Sequence, residues 1–226
     1  MDIFKLSKSL DELIFDVMMW VIFYPYTLVR VLVMPGKMIE YVGAELRKDP
    51  ETEPTFDRGL SPPLFLFLSI VIAWMLSPDI HGLLKVQSDT AIASAINSSS
   101  MSMLTYRLAM FCVFPFAGAL IYEWRTPGGI SRETFREPFF QQAYLCGPLA
   151  IVLSVATVIT TKFKDEVVLA NTGLALIVIL LWYFWSQTVF FRRTMDSSWK
   201  GAIVWGLLSV CLGLALSALF DFIVGG

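Results

Sequence analysis

The chain has 226 residues, of which 56% are hydrophobic and only 16% are charged, and its formal net charge is −2. Soluble globular chains carry about 25% charged residues, and proteins that bind nucleic acid need basic side chains for the phosphates. The apolar residues are concentrated in blocks near the ~20 residues that a helix needs to cross a bilayer. Because backbone polar groups in lipid must be bonded within their own segment, these blocks predict helices. Composition therefore excludes a soluble domain and a nucleic-acid partner, and predicts an all-α integral membrane bundle in contact with the lipid bilayer.

Residues 1–60 form the first predicted unit, a cytoplasmic and interfacial segment with its linker. After Pro35, apolar residues recur at helical spacing with charged residues between them, which is typical of an amphipathic helix in the headgroup layer. The residues predicted to contact the membrane interface are Met38, Ile39, Val42 and Leu46. Residues 13–34 are also apolar, but they contain Asp16 and Arg30. We predict that this stretch lies in the interface too, and a sixth span is the alternative.

Residues 61–226 form the second predicted unit, a transmembrane domain of five helices. The spans are predicted at residues 61–76, 102–122, 140–160, 168–191 and 202–224. The serine run of residues 98–100 is predicted to cap the helix of the second span, because serine side chains accept hydrogen bonds from free backbone N–H groups. No internal repeat is visible, so the sequence does not indicate an inverted-repeat transporter.

Basic residues predict which side of the membrane each connection faces, since cytoplasmic loops carry an excess of Lys and Arg. With five spans, most of them fall in the N-terminal segment and in the connections after the second and fourth spans. The opposite side carries only Lys85, Lys162 and Lys164. This asymmetry predicts an integral membrane protein of an inner, plasma or endomembrane, with its N-terminus cytoplasmic and its C-terminus outside.

Few polar side chains are predicted at membrane depth. Arg107 lies about six residues into the second span, where an ionised side chain marks a pathway or a buried pair, unless it snorkels to the outer surface. Its candidate partners are Asp165, Glu166 and Asp221. The other pathway candidates share a predicted position near the inner face, and they are Glu123, Gln141, Gln142, Tyr144 and Gln187. The alternatives are a surface salt bridge of Glu123 with Arg125 and, for the others, hydrogen bonds between helices.

Two stripes of small residues predict close helix packing. Small residues spaced by three or four positions lie on one helix face, where they let two backbones approach. The stripe of the third span is Ala143, Gly147, Ala150 and Ser154, continuing to Thr157. The stripe of the fifth span is Ala202, Gly206, Ser209, Gly213 and Ser217. We expect these two spans to pack against each other or to form a contact between subunits of an oligomer.

The sequence indicates no enzyme, no metal site and no cofactor. His81 is the single histidine, so neither a histidine-based metal motif nor a Ser-His-acid set is available. The chain also lacks a glycine-rich phosphate-binding motif that ends in Lys and Ser or Thr.

Three stretches carry a resemblance to a known family. They are residues 131–136 (SRETFR), the Tyr144 and Gly147-Pro148 entry to the third span, and residues 195–200 (MDSSWK) before the last span. With five spans behind a cytoplasmic amphipathic region, they resemble the Yip (Rab-interacting) superfamily and its bacterial permease-annotated relatives. The Asp-Leu-Tyr-Gly-Pro element of eukaryotic members is not present, and residues 144–148 match it only in part. The resemblance covers residue 61 to the C-terminus and implies a role in membrane organisation or trafficking.

These observations predict a multi-pass membrane protein that works in transport or membrane organisation. Its expected form is a homo-oligomer or an accessory subunit of a membrane-protein partner. The alternative is a small channel or permease in which Arg107 contributes to a polar path. An enzyme acting on lipid is the least favoured hypothesis.

Overall fold

The computed structural model describes residues 3–49, 53, 55–75 and 90–225, and this part of the chain is helical throughout, without a β-strand. It confirms the predicted all-α class. The helices are α1 (Ile3–Val33), α2 (Pro35–Leu46), α3 (Pro62–Met75), α4 (Ala91–Asn97), α5 (Ser100–Arg125), α6 (Arg132–Lys162), α7 (Glu166–Thr194) and α8 (Trp199–Gly225). Helix α4 lies in the connection before the second predicted span, and His81 and Lys85 lie outside the described residues.

Five helices of the described chain are long and apolar enough to cross a membrane, as predicted, but the set differs by one member. They are α5, α6, α7, α8 and the Ile14–Val33 part of α1. The described part of the predicted first span is α3, whose 14 residues measure about 21 Å at 1.5 Å per residue, against a hydrocarbon layer of about 30 Å. By length and composition, residues Ile14–Val33 qualify as a span, but as one of five in the described chain and not as the sixth of the alternative.

The contacts of α1 show that it crosses the other helices instead of running beside them. The hydroxyl of Tyr24 donates to Ser69, which lies next to Gly147 of α6. Eight residues later, the carbonyl of Leu32 accepts from the indole of Trp182. The pairing of α6 with α7 places Trp182 at about the level of Gly147. Two points about 12 Å apart along α1 therefore contact one level of the bundle, as expected for a steep crossing angle.

Helix α2 also lies across the bundle, at the end that contains the α5–α6 and α7–α8 turns, here called the inner end. Its residues Met38, Ile39 and Val42 are at most 2% exposed and pack into the hydrophobic core, and Leu46 packs partly buried against the same cluster. The predicted helix is present, but these side chains contact protein instead of the membrane interface. The reason is that α6 and α7 offer an apolar surface at this level.

The small-residue stripes are buried except at Thr157 and Ser217, but the predicted pairing of α6 with α8 was wrong. Helix α6 packs mainly on α3, α5 and α7, and α8 packs on α5 and α7. In α6, a Cβ added at Gly147 would overlap the ring of Phe65 in α3. In α8, Gly206 lies against Thr188 of α7 and Gly213 lies against Phe114 of α5. Within the described chain, these glycines are therefore covered by side chains of α3, α5 and α7.

Local sequence signals explain where the helices begin. The hydroxyl of Ser99 accepts from the N–H of Ser102 at 3.1 Å, so the serine run caps α5 as predicted. Ser131 and Thr134 form a reciprocal capping box at the start of α6. The turn before it contains Gly128 and Gly129 with φ of 131° and 78°, values that favour glycine. This tight turn places the end of α5 beside the start of α6.

The steep crossing of α1 leads to a prediction about topology. We expect the N-terminus and the α5–α6 turn to face the cytoplasm, because α1 then lies across the inner half of the bundle. In a background without the native cysteines, Ser7→Cys and Gly128→Cys should both react with a membrane-impermeant thiol reagent only after the vesicles are opened. Labelling of Ser7→Cys from outside while Gly128→Cys stays protected would show that α1 spans the bilayer.

Candidate functional site

A cavity of about 1040 Å³ opens at the inner end, between α2, the ends of α5 and α7 and the starts of α6 and α8. Charged side chains line it from every side. They are Glu40, Arg47, Glu123, Glu133, Glu137, Arg192, Arg193 and Asp196. Within a chain that is only 16% charged, this concentration makes the inner cavity the main candidate for a functional site.

Each arginine of the inner cavity has a carboxylate partner. Arg193 pairs with Glu40 of α2, and Arg47 lies 3.8 Å from Glu137. Arg192 lies 3.4 Å from Asp196. The first two pairs join α2 to α7 and α6, and they are partly exposed, so each contributes about 0–1 kcal/mol. Their main effect is to hold α2 in register across the inner end.

Glu123 is the buried carboxylate of the inner cavity, with 4% of its surface exposed. Its Oε2 accepts a hydrogen bond from the hydroxyl of Thr134 at 2.8 Å. No Lys or Arg among the described residues forms an ion pair with it. The suggested salt bridge with Arg125 is not formed, because that guanidinium lies over the ring of Trp205, 5.1 Å from its centroid. Glu123 therefore faces the cavity with a neutral hydroxyl as its described hydrogen-bond partner.

A pair of fully buried amides lies deeper in the bundle. The Nε2 of Gln142 donates to Oε1 of Gln187 at 3.0 Å, and the Nε2 of Gln187 donates back at 2.6 Å. Ser209 of α8 donates to the same Gln187 oxygen at 3.2 Å. A Cβ added at Gly118 of α5 would lie 2.5 Å from the amide carbon of Gln142. The amide pair therefore fills the point where α5, α6, α7 and α8 meet.

Gln141 and Tyr144 tie the N-terminal helices to α6. The amide of Gln141 donates to the carbonyl of Ile39 at 3.2 Å and to Glu137 at 3.1 Å. The hydroxyl of Tyr144 donates to the carbonyl of Leu60, just before α3. Gln141 lines the inner cavity, whereas Tyr144 is directed away from it. Tyr144 is therefore a structural tether and not a pathway residue.

Arg107 lines a second cavity of about 420 Å³ at the opposite, outer end of α5, α6 and α8. This outer crevice also contains Asp221 of α8 and the small polar residues Ser154 and Ser217. The hydroxyl of Tyr106 donates to Asp221. Among the described residues, no carboxylate pairs with Arg107 within 4 Å. Of its three candidate partners, Asp221 is the one that shares its cavity.

No family model, curated protein or solved structure matches this chain. What the site can do is therefore inferred from its geometry alone. Within the described residues, no group of three His, Cys, Asp or Glu side chains is placed to hold a metal ion.

The predicted pathway residues lie at three levels of the bundle. Glu123 and Gln141 line the inner cavity, Gln142 and Gln187 form the buried pair, and Arg107 lines the outer crevice. Thr134, Ser209 and Gly118 also contribute to these contacts, but no site role was predicted for them. Thr134 was noted only as part of a family resemblance, and Ser209 only for packing. Their roles depend on contacts between distant parts of the chain, which no local pattern contains.

Proposed function

We propose that this protein transports a small polar solute across the membrane, along a path between α5, α6, α7 and α8. The observation that supports this proposal concerns one face of α5. Phe114 lines the outer crevice, Gly118 contacts the amide of Gln142, and Tyr122 lines the inner cavity. These residues are four positions apart, so the inner cavity and the outer crevice lie about 12 Å apart along the helix, with the amide pair between them.

The energy of the amide pair suits a gate that opens. Hydrogen bonds between membrane helices contribute about 0.6 kcal/mol on average and at most about 1.7. Separating the two glutamines in a purely hydrocarbon environment would cost more free energy. A polar solute or water that enters between them replaces the lost hydrogen-bond partners. Ser209 remains beside Gln187 as a further partner. A free-energy difference of this size between the closed and the open gate permits an open state populated at roughly 0.1–10%.

Cysteine accessibility at the gate tests the proposal without knowledge of the solute. In a chain carrying Cys112→Ala, Cys146→Ala and Cys211→Ala, we expect Gln142→Cys to react with a small methanethiosulfonate reagent in membrane vesicles. Its rate should be roughly 0.1–10% of that of Glu133→Cys, which lines the open inner cavity, in proportion to the open population.

Leu149→Cys is the matched control, because Leu149 lies on the same helix, is 1% exposed and contacts only the apolar core. It should stay unreactive over the same period. If Gln142→Cys is as slow as Leu149→Cys while Glu133→Cys reacts fully, no path passes the amide pair and transport by this route is wrong.

A second candidate is a non-enzymatic role in membrane organisation, in line with the Yip-like stretches. The observation that favours it is the apolar surface of α1, where Phe15, Met18 and Val21 are at least 60% exposed and available to lipid or a membrane-protein partner. An organising protein needs no opening of its core. Unreactive Gln142→Cys therefore favours this second role over transport.

A further inference from the structure

We infer that the inner cavity binds a small organic cation, with Glu123 as its counter-charge. This inference rests on the proposed function, since the cation would be the solute that enters the path. The inner cavity is suitably placed to admit such a solute, because it opens at the inner end. It is also lined by Gln141, which directly precedes Gln142 of the amide pair in the sequence.

The charges that line the inner cavity do not balance. Its arginines Arg47, Arg192 and Arg193 are each paired with a carboxylate. Two further carboxylates, Glu123 and Glu133, line the same space without an ion-pair partner among the described residues. The inner cavity therefore carries an excess of negative charge. An entering cation is attracted by this charge, whereas each guanidinium group that could attract an anion already has a carboxylate within 4 Å.

Glu123 holds part of this excess negative charge at a fixed position in the inner cavity. It is 96% covered by protein, as its exposed fraction of 4% shows, yet it lines the inner cavity. Thr134 holds one carboxylate oxygen in place at 2.8 Å, so the side chain does not have to be ordered when a ligand binds. Burying a carboxylate without a cation is costly, and an ammonium group beside it removes that cost. This gain is specific to a positively charged ligand.

The size and lining of the inner cavity favour an organic cation over a metal ion. The acidic groups are spread around about 1040 Å³, and the described residues hold no cluster with metal-ligand spacing. Aromatic rings of Tyr122 and Trp185 also line the space, whereas the ring of Trp199 already stacks on Trp185 and has Arg192 over it. Aromatic faces attract alkylammonium groups, most strongly when water is excluded. A quaternary ammonium ion of a few carbon atoms has both the positive charge and the apolar surface that match this lining.

Binding to the purified full-length protein tests the inference by titration calorimetry. We expect choline to bind, and its uncharged carbon analogue 3,3-dimethylbutan-1-ol to bind at least roughly tenfold more weakly, since it keeps the shape and removes the charge. Benzoate serves as an anionic aromatic probe and should not bind. Equal binding of choline and its neutral analogue, binding of benzoate alone, or no binding of choline would each overturn the inference.

Two matched variants locate the site. Glu123→Gln keeps the acceptor for Thr134 and should weaken choline binding by roughly tenfold or more. Glu166→Gln removes the same charge from the exposed start of α7 at the outer end and should leave binding unchanged. Equal effects of both variants would contradict the assignment to Glu123. Reactive Gln142→Cys without choline binding would refute this inference but leave transport standing, whereas choline binding with an unreactive Gln142→Cys would refute transport alone.

Discussion

Gly147→Ala lowers the thermal stability of this protein, whereas Gly173→Ala leaves it unchanged or raises it. The added methyl group at residue 147 would overlap the ring of Phe65, and overpacking of this kind costs about 1–3 kcal/mol. At Gly173 of α7 a Cβ meets nothing within 4 Å, so helix propensity alone applies and favours alanine by up to about 1 kcal/mol. Thermal unfolding of the two purified variants in one detergent measures the difference.

The ring of Phe65 cannot move aside easily, because two other rings hold it. It stacks on Tyr24 with centroids 5.4 Å apart and meets Tyr144 edge-on at 5.6 Å. The same group of residues joins α1 and α3 to α6, so the effect of Gly147→Ala should extend to the N-terminal helices. Equal melting temperatures for Gly147→Ala and Gly173→Ala would mean that α3 does not contact α6 at Gly147.

Gln142→Leu and Gln187→Leu should each destabilise the protein by about 1–2 kcal/mol, because each change leaves the other amide buried without its main partner. The double variant should lose less than the sum of the two single losses, since neither amide remains. Unfolding of the two single variants and the double variant in a mild detergent completes the thermodynamic cycle. The cycle isolates the energy of the pair itself.

Ser209→Ala provides the control for this cycle, as it removes only the weaker bond to Gln187, at 3.2 Å. Its effect should be smaller than that of either glutamine substitution. Strictly additive losses for Gln142→Leu and Gln187→Leu would show that the two amides do not interact, and the gate between the two cavities would then have no basis.

The inner cavity shows how far the sequence could predict the site. Residues Glu123, Gln141, Gln142 and Gln187 are recognisable as candidates because polar side chains are rare in apolar segments and expensive to bury. Their partners are not recognisable in the same way. Gln142 and Gln187 are 45 positions apart, and helical periodicity defines which face a residue occupies, without defining which helix covers that face.

Helix α2 illustrates the same limit for the fold. Its alternation of apolar and charged residues predicts an amphipathic helix, and a lipid surface and a protein surface satisfy an apolar face equally well. It is buried against an apolar surface of α6 and α7, and its ion pairs join Arg47 to Glu137 and Glu40 to Arg193, which are 90 and 153 positions away in the chain. Likewise, small residues in α6 and α8 indicate close packing but not the partner, which proved to be α3 for Gly147.

By itself, the sequence determined that the chain is helical, that four of its predicted spans suit a bilayer, and that the serine run caps α5, because hydropathy and capping act over a few neighbouring residues. Only the tertiary structure decided that α1 and α2 cross the bundle, that Arg125 contacts Trp205 instead of Glu123, and that the inner cavity and the outer crevice lie on either side of the buried amides. These features arise where distant segments meet, and the shape of the partner surface selects among contacts that the local sequence leaves equally favourable.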